Sequence, residues 1–232
     1  MQAMVRTRVM AGYGLFLFVL LVLTDCGGGE KPGAPETGFS PGPGLGDSIG
    51  TPAGEPFQLP DGLTAGAIVG ALHPLDEANQ KILTQPQCGS YTSQPVEVVN
   101  TAFGYVDLCM ELVNGAGMAI PVTLPGGLIF PSLDDRIQNG FLAQSVAITV
   151  PAGGKWVLLR LYCLNARFLG ADGAHYQIGP MTDYAPLKEV VNILRDKQID
   201  QQETLQVQWA IWQVTDNPAG LTDEVRAVLN GL

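Results

Sequence analysis

Apolar and polar residues alternate with a period of two through the middle of the chain, which is typical of strands with one buried face. The two longest alternating stretches are residues 105–113 and Lys155–Cys163. The polar residues of the first stretch share one face: Asp107, Cys109 and Glu111. In the second stretch Cys163 falls on the more apolar face, which we expect to be the inner face of a sheet.

Shorter apolar segments predict four more strands, at residues 96–99, 118–124, 128–130 and 141–150. Turns rich in Gly and Pro separate them, beginning with Asn114-Gly115. Short strands spaced in this way predict an antiparallel β-sandwich or barrel, which we assign to residues 61–165. Inside this range, residues 63–72 fit either a buried strand or a helix, and residues 74–83 predict a short helix.

After Cys163 the apolar period changes to that of helices. One apolar stripe follows Asp183 and Pro186 at the spacing i, i+3, i+4 and i+7: Leu187, Val190, Val191 and Leu194. Asp200 opens a second helix, and Thr222 caps a third over residues 223–229. The chain is therefore predicted to be mainly β, with a C-terminal helical subdomain of three short helices at residues 166–232.

The second of these helices carries one polar residue, Gln208, in a run of apolar ones. Asp200 and Glu203 have the spacing of a capping box at its start. Apolar side chains then occupy almost every side: Leu205, Val207, Trp209, Ala210, Ile211, Trp212 and Val214. A helix that is apolar all round is buried, and a buried amide without partners costs about 1–3 kcal/mol. Gln208 therefore either hydrogen-bonds across the core or has been consumed chemically.

Two short motifs give the chemical alternative a reaction partner for Gln208. Both are complete in this chain: Tyr162-Cys163-Leu164-Asn165 and Val207-Gln208-x-x-Ile211-Trp212. Together they resemble the bacterial thioester domains of surface adhesins, in which the Cys sulfur and the Gln side-chain carbonyl are joined as an internal thioester. The resemblance implies a Cys163–Gln208 thioester, which burial by Tyr162, Trp209 and Trp212 would protect from water.

The implied chemistry is a single covalent event. A thioester is a masked acyl donor, and an amine on a partner protein or surface can attack its carbonyl and stay attached by an amide bond. Because the thioester is used once, we expect a covalent binder that acts in adhesion, and not an enzyme.

The four cysteines leave several pairings open. Cys26 belongs to the leader described below. Cys88 and Cys109 flank the first strand pair and are the disulfide candidate in an exported protein. Apart from a thioester, Cys163 fits either a disulfide with Cys109 or a buried thiol that acts as a small hydrophobe.

Residues 1–25 have the features of a bacterial export signal. Arg6 and Arg8 precede an apolar run over residues 15–23 that is too short for a comfortable membrane span. The run ends at Leu23-Thr24-Asp25-Cys26, which resembles a lipoprotein signal with Cys26 as the lipid-modified residue. Asp25 departs from that pattern, so an uncleaved anchor or another cleavage site stays open. We expect an exported protein, held by lipid to a bacterial membrane in the cell envelope or at the cell surface.

Residues 26–60 are dense in Gly and Pro and almost empty of large apolar residues. Such a segment buries too little surface to order itself, so we predict a flexible tether between the lipid and the folded domain.

Charge and composition exclude other function classes. The formal net charge is −10, and nucleic-acid binding needs a basic footprint that this chain lacks. The chain contains two His, which are few residues from which to build a His-based metal or catalytic site. No Gly-rich phosphate loop, Ser-centred nucleophile elbow or Cys-x-x-Cys pair is present, so we expect no cofactor and no metal.

Three hypotheses result. The first is the lipid-anchored covalent binder. The second is a non-covalent envelope lipoprotein module, in which Gln208 hydrogen-bonds a strand edge and the tryptophans are core residues. The third and weakest is a hydrolase built on Asp172, His175 and Tyr176.

Overall fold

The computed structural model describes residues 41–73, 75–76, 81–82, 86–100 and 105–232. The described chain is mainly β with a curled antiparallel sheet and three helices, the last at the C-terminus, which confirms the predicted fold class. Its strands are β1 Gly54–Pro56, β2 Leu63–Gly70, β3 Leu75–Asp76, β4 Lys81–Ile82, β5 Val96–Val98, β6 Val106–Asn114, β7 Ile120–Leu124, β8 Ile129–Phe130, β9 Gly140–Phe141, β10 Val146–Val150, β11 Lys155–Cys163 and β12 Pro180–Thr182. Its helices are α1 Ala185–Leu194, α2 Gln201–Asp216 and α3 Asp223–Asn230.

Strands β6 and β11 form the centre of the largest sheet. They pair antiparallel from Lys155 opposite Leu112 to Leu161 opposite Val106. On the outer side of β6 lies β2, also antiparallel, with a bulge between Ala65 and Ile68. The other edge of β11 pairs first with β5, in parallel, and then with β9, which continues to β8. The β5–β11 pair departs from the all-antiparallel arrangement that the sequence predicts.

The main core lies on the inner face of these two strands. It takes the alternate residues that the period of two predicts, among them Leu108, Met110, Leu159, Leu161 and Cys163. The antiparallel pair β7–β10 and part of α2 cover this face.

The opposite face of β11 is buried too. Trp156 and Leu158 pack beside the disulfide between Cys88 and Cys109, the pair that the sequence offered as a disulfide candidate. Tyr162 packs among the three helices. Because both of its faces are buried, β11 lies between the sheet core and the helical layer.

The helix starts form largely as the sequence predicts. Asp200 accepts from the backbone N–H groups of Gln202 and Glu203, and Glu203 completes the capping box at the start of α2. Thr222 caps α3 through the N–H of Val225. Helix α1 begins after Tyr184 without a side-chain cap.

Two predictions of local structure were wrong, and one alternative that the sequence left open is decided. Where a helix was predicted over residues 74–83, Leu75–Asp76 and Lys81–Ile82 form an antiparallel strand pair. The strand predicted over residues 141–150 is divided into β9 and β10, which pair with different partners. Residues 63–72, which fitted a strand or a helix, contain strand β2.

The tether predicted over residues 26–60 does not extend to residue 60. Leu45 is buried among the helices, and β1 pairs with β12. The folded part therefore includes residues 41–60, because a short apolar anchor and backbone pairing order a segment whose composition alone would leave it flexible. The predicted signal at residues 1–25, the lipidation site Cys26 and the tether as far as residue 40 lie outside the described residues. No helix in the described part of the chain is long and apolar enough to span a membrane.

Trp156 provides a test of the second buried face of β11. Trp156→Ala should lower the free energy of unfolding by about 3–5 kcal/mol, because the side chain is 7% exposed and its removal leaves a cavity beside the disulfide. Chemical denaturation measures this change. Val98→Ala, on a neighbouring strand but with a 53% exposed side chain, is the control and should stay close to the wild type. Equal, small effects of the two substitutions would show that Trp156 lies at the surface.

Candidate functional site

The site is a contact between the last residue of β11 and the middle of α2. Strand β6 pairs with β11 only as far as Leu161, which leaves one backbone edge of Cys163 without a strand neighbour. The side-chain amide of Gln208 takes that place. The N–H of Cys163 donates to Gln208 Oε1 at 2.8 Å, and Gln208 Nε2 donates to the carbonyl oxygen of Cys163 at 2.8 Å. Both residues are fully buried.

These two hydrogen bonds fix the orientation of the Gln208 amide. Its carbonyl oxygen faces a backbone N–H donor, which polarises the carbonyl and would stabilise negative charge on Oε1. Its nitrogen is held on the side of the Cys163 carbonyl group. The side chain that carries Sγ is on the same residue as both backbone partners of the amide.

A third backbone group acts on the sulfur. The N–H of Asn165 donates to Cys163 Sγ at 3.3 Å. A donor in this position would stabilise negative charge that develops on the sulfur, whereas the complete burial of Cys163 disfavours that charge.

Asn165, the last residue of the first motif, is held by a buried network. Its side-chain oxygen accepts from the N–H of Asn139 at 2.8 Å, and its Nδ2 donates to the carbonyl oxygens of Gly44 at 3.1 Å and Gly46 at 2.9 Å. The side chain of Asn139 also donates to Gly44, at 2.9 Å. The network fixes the turn after Cys163, and with it the N–H that contacts the sulfur. Asn139 and residues 44–46 are parts of the site that sequence reasoning missed.

The three predicted aromatic neighbours lie on two sides of the contact. Tyr162 and Trp209 belong to the cluster among the helices, whereas Trp212 packs on the sheet core that contains Cys163. Trp212 meets the ring of Tyr105 edge-on, with centroids 5.3 Å apart. Trp209 and Trp212 are half-buried, so α2 is less enclosed than its sequence predicts. Burial raises the pKa of Tyr162 to about 12, against a hydrogen bond with Thr204 that lowers it.

A second polar cluster, which sequence reasoning also missed, surrounds His73. Its Nδ1 lies 2.8 Å from Asp172 Oδ1, and its Nε2 lies 3.1 Å from Asp107 Oδ2. The backbone N–H of His73 donates to the other oxygen of Asp172 at 3.1 Å. The imidazole thus joins the segment after β2 to strand β6 and to the turn that contains Asp172.

The pKa values of this cluster follow from its contacts. Hydrogen bonds with Asp107 and then Asp172 raise the pKa of His73 to about 9, so it is a cation at neutral pH. Burial raises the pKa of Asp107, although His73 opposes this. Burial also tends to raise the pKa of Asp172. The hydrogen bonds from His73 outweigh burial, so the pKa of Asp172 is lowered.

The residues of the hydrolase hypothesis have other partners in the structure. Asp172 pairs with His73, while His175 is exposed and the hydroxyl of Tyr176 donates to the carbonyl oxygen of Gln138 at 2.9 Å. The side-chain hydrogen bonds of Asp172 and Tyr176 therefore go to residues outside the hypothesis. Among the described residues no group of three or more His, Cys, Asp or Glu side chains could hold a metal ion.

Comparison of the chain with protein-family models, curated proteins and solved structures gave no match. The functional argument therefore depends on the residues of the chain and on the geometry described above.

The His73 cluster predicts how stability depends on pH. The folded protein binds the His73 proton more tightly than the unfolded chain does, because the pKa is raised from 6.5 to about 9. The contribution of protonated His73 to the free energy of unfolding is fully present below pH 6.5. It is lost as the pH rises through about 9. The melting temperature of the wild type should therefore fall between pH 7 and 10 more steeply than that of His73→Gln, as measured by circular dichroism.

His175→Gln is the matched control, since it replaces the other histidine of the chain at an exposed position. It should keep the wild-type pH profile. The same slope in His73→Gln as in the wild type would show that the cluster does not hold the proton.

Proposed function

We propose that this protein is a lipid-anchored protein of the bacterial cell envelope that binds a partner covalently through an internal Cys163–Gln208 thioester. The observation that carries the proposal is the pair of hydrogen bonds, each 2.8 Å long, that holds the Gln208 amide against the backbone of Cys163. The protein acts once per molecule as a covalent binder and is not an enzyme.

The thioester forms in a balanced exchange. Cys163 Sγ attacks Gln208 Cδ, and negative charge develops on Oε1 beside the N–H of Cys163. The Cδ–Nε2 bond then breaks, the sulfur–carbon bond remains, and Nε2 leaves as ammonia after taking up the proton of the thiol. Proximity on two rigid elements and the preorganised N–H donor lower the barrier to this step.

The partner is captured by the reverse kind of exchange. A primary amine attacks Cδ, the new carbon–nitrogen bond forms, and the carbon–sulfur bond breaks. The proton of the amine passes to the sulfur, which restores the thiol of Cys163. A lysine side chain or another amine on a surface polymer has this chemistry.

A second function has support in the same geometry. The two hydrogen bonds satisfy both polar ends of the buried Gln208 amide, as expected for a glutamine that only continues a strand edge. In that case the protein is a non-covalent envelope module. The two functions differ in the presence of a covalent bond, which can be measured directly.

Intact-mass analysis distinguishes the two functions. The purified protein should weigh one ammonia less than its sequence, once the disulfide and any lipid are counted, because Gln208 loses Nε2 when the thioester forms. Methylamine should then add to Gln208 and release one thiol. A mass that includes the ammonia, in protein never exposed to an amine, would contradict the thioester.

Variants assign the mass change to its residues. Cys163→Ala and Gln208→Ala should each abolish the mass deficit and the methylamine addition. Gln206→Ala is the matched control, because Gln206 is an exposed glutamine on the same helix. It should retain both effects.

Anchoring has its own test. Cys26→Ser should abolish the incorporation of a clickable fatty acid and release the protein from membranes, because Cys26 follows the apolar run of the leader and supplies the sulfur for the lipid. Fatty-acid labelling followed by membrane fractionation measures both effects. Unchanged lipid incorporation in this variant would disprove the lipidation site.

A further inference from the structure

Residues 44–47, which we call the strap, cross the end of β11 next to the Cys163–Gln208 contact. The N–H of Gly46 donates to the carbonyl oxygen of Leu164 at 3.0 Å. The side chain of Asn165 donates to the carbonyl oxygens of Gly44 and Gly46. The strap therefore lies on the two residues that directly follow Cys163.

The strap also lies on the helix that carries Gln208. Leu45 is 4% exposed and packs in the cluster among the helices. Gly46 approaches α2 so closely that a Cβ at this position would overlap the carbonyl oxygen of Thr215. Thr215 is two helical turns after Gln208 and lies on the same buried face of α2. One short segment thus contacts both elements of the candidate thioester.

The candidate thioester has no open route to solvent through the nearby cleft. A cleft of about 630 Å³ runs beside Arg160, Tyr162 and Asp200, but neither Cys163 nor Gln208 lines it. Both residues of the pair are fully buried. A nucleophile reaches such a pair only when part of the surrounding structure opens.

The strap is held in a different way from the elements that carry the pair. Cys163 is in β11, whose end pairs with β9, and Gln208 is in the middle of the 16-residue helix α2, so both lie in regular hydrogen-bonded structure. The strap has no ladder of its own and is held by single hydrogen bonds and one buried side chain. Segments of this kind open at the lowest free-energy cost.

Charges add little to the hold at the end of the strap. Asp47 pairs with Arg167 at 3.1 Å, and both side chains are about half exposed. Burial first, and then the charge of Asp47, raise the pKa of the neighbouring Asp216 to about 6. At neutral pH Asp216 is therefore ionised and repels Asp47, while Arg167 attracts both. A pair this exposed is screened by water and contributes little to stability.

We propose that the strap is a gate that controls access of the partner's amine to the Cys163–Gln208 pair. The inference rests on the proposed function, since it concerns the regulation of the same site. In the closed strap Asn165 holds Gly44 and Gly46 and presents its N–H to the sulfur, so the pair is both covered and ordered. Release of the strap uncovers the pair and lets an amine reach Cδ.

Gly46→Ala tests the gate. The substitution adds a methyl group against the carbonyl oxygen of Thr215 at a residue with φ of +57°, a backbone conformation that is strained for any residue with a Cβ. Introduced into the full chain, it should raise the population of the open strap and the rate of methylamine addition by about tenfold, the ratio that 1.4 kcal/mol produces. Mass spectrometry over time measures the rate.

A second arm does not depend on a thioester. In a Gln208→Ala background Cys163 is a thiol whether or not the wild type forms the bond. Its alkylation by iodoacetamide should also accelerate about tenfold on Gly46→Ala. Leu45→Ala, which removes the apolar anchor of the strap without backbone strain, should accelerate alkylation in the same direction and keeps the test valid if Gly46→Ala folds poorly.

Gly153→Ala is the matched control. Gly153 has φ of +86° and lies in the turn between β10 and β11, where an added Cβ meets no atom within 4 Å. It introduces strain without touching the strap, and should leave both rates at the wild-type value. Unchanged alkylation in the strap variants, or equal acceleration by Gly153→Ala, would overturn the gate. Absence of methylamine addition with accelerated alkylation would overturn the thioester and leave the gate standing.

Discussion

The structure of the site depends on one interaction, the pairing of the Gln208 side-chain amide with the backbone of Cys163. Strand β6 ends its pairing at Leu161, and the amide supplies the next donor and acceptor along that edge. Without it, a fully buried N–H and C=O of Cys163 would lack partners, at a cost of about 1–3 kcal/mol each. The same interaction attaches α2 to the end of β11 and thereby joins the helical layer to the sheet.

Placement of the pair at the boundary of two cores has a chemical consequence. Cys163 faces the sheet core, whereas its neighbours Tyr162 and Leu164 face the helices. Both sides are buried, which would favour a long life for the proposed thioester and would strengthen the effect of the N–H groups on Oε1 and Sγ. The network of Asn139, Asn165 and the strap closes the third side. In the proposed function, the same burial would protect the thioester and would require an opening motion before an amine could reach it.

The sequence predicts those parts of the fold that depend on local pattern. The period of two in Lys155–Cys163 places Cys163 on the inner face, and the capping box at Asp200 locates the start of α2. It also predicts the contact of Cys163 with Gln208, because both motifs and the buried amide point to one partner. Strand β1 has no alternation and exists through its pairing with β12, so sequence reasoning missed it.

The remaining parts of the site depend on contacts between distant residues. Asn165 holds Gly44 across 121 positions, and His73 binds Asp172 across 99. Neither separation leaves a periodic signal, and the Gly and Pro content of residues 41–60 favours the opposite prediction of a flexible tether. Large apolar residues are few in that segment, and Leu45 is the one that lies within the strap and anchors it to the folded part.

A crystal structure of protein prepared without contact with amines tests the central claim most directly. The account predicts continuous density between Cys163 Sγ and Gln208 Cδ, with Oε1 still accepting from the N–H of Cys163 and no atom at the position of Nε2. An intact amide, with Nε2 donating to the Cys163 carbonyl oxygen and a separate thiol, would contradict it.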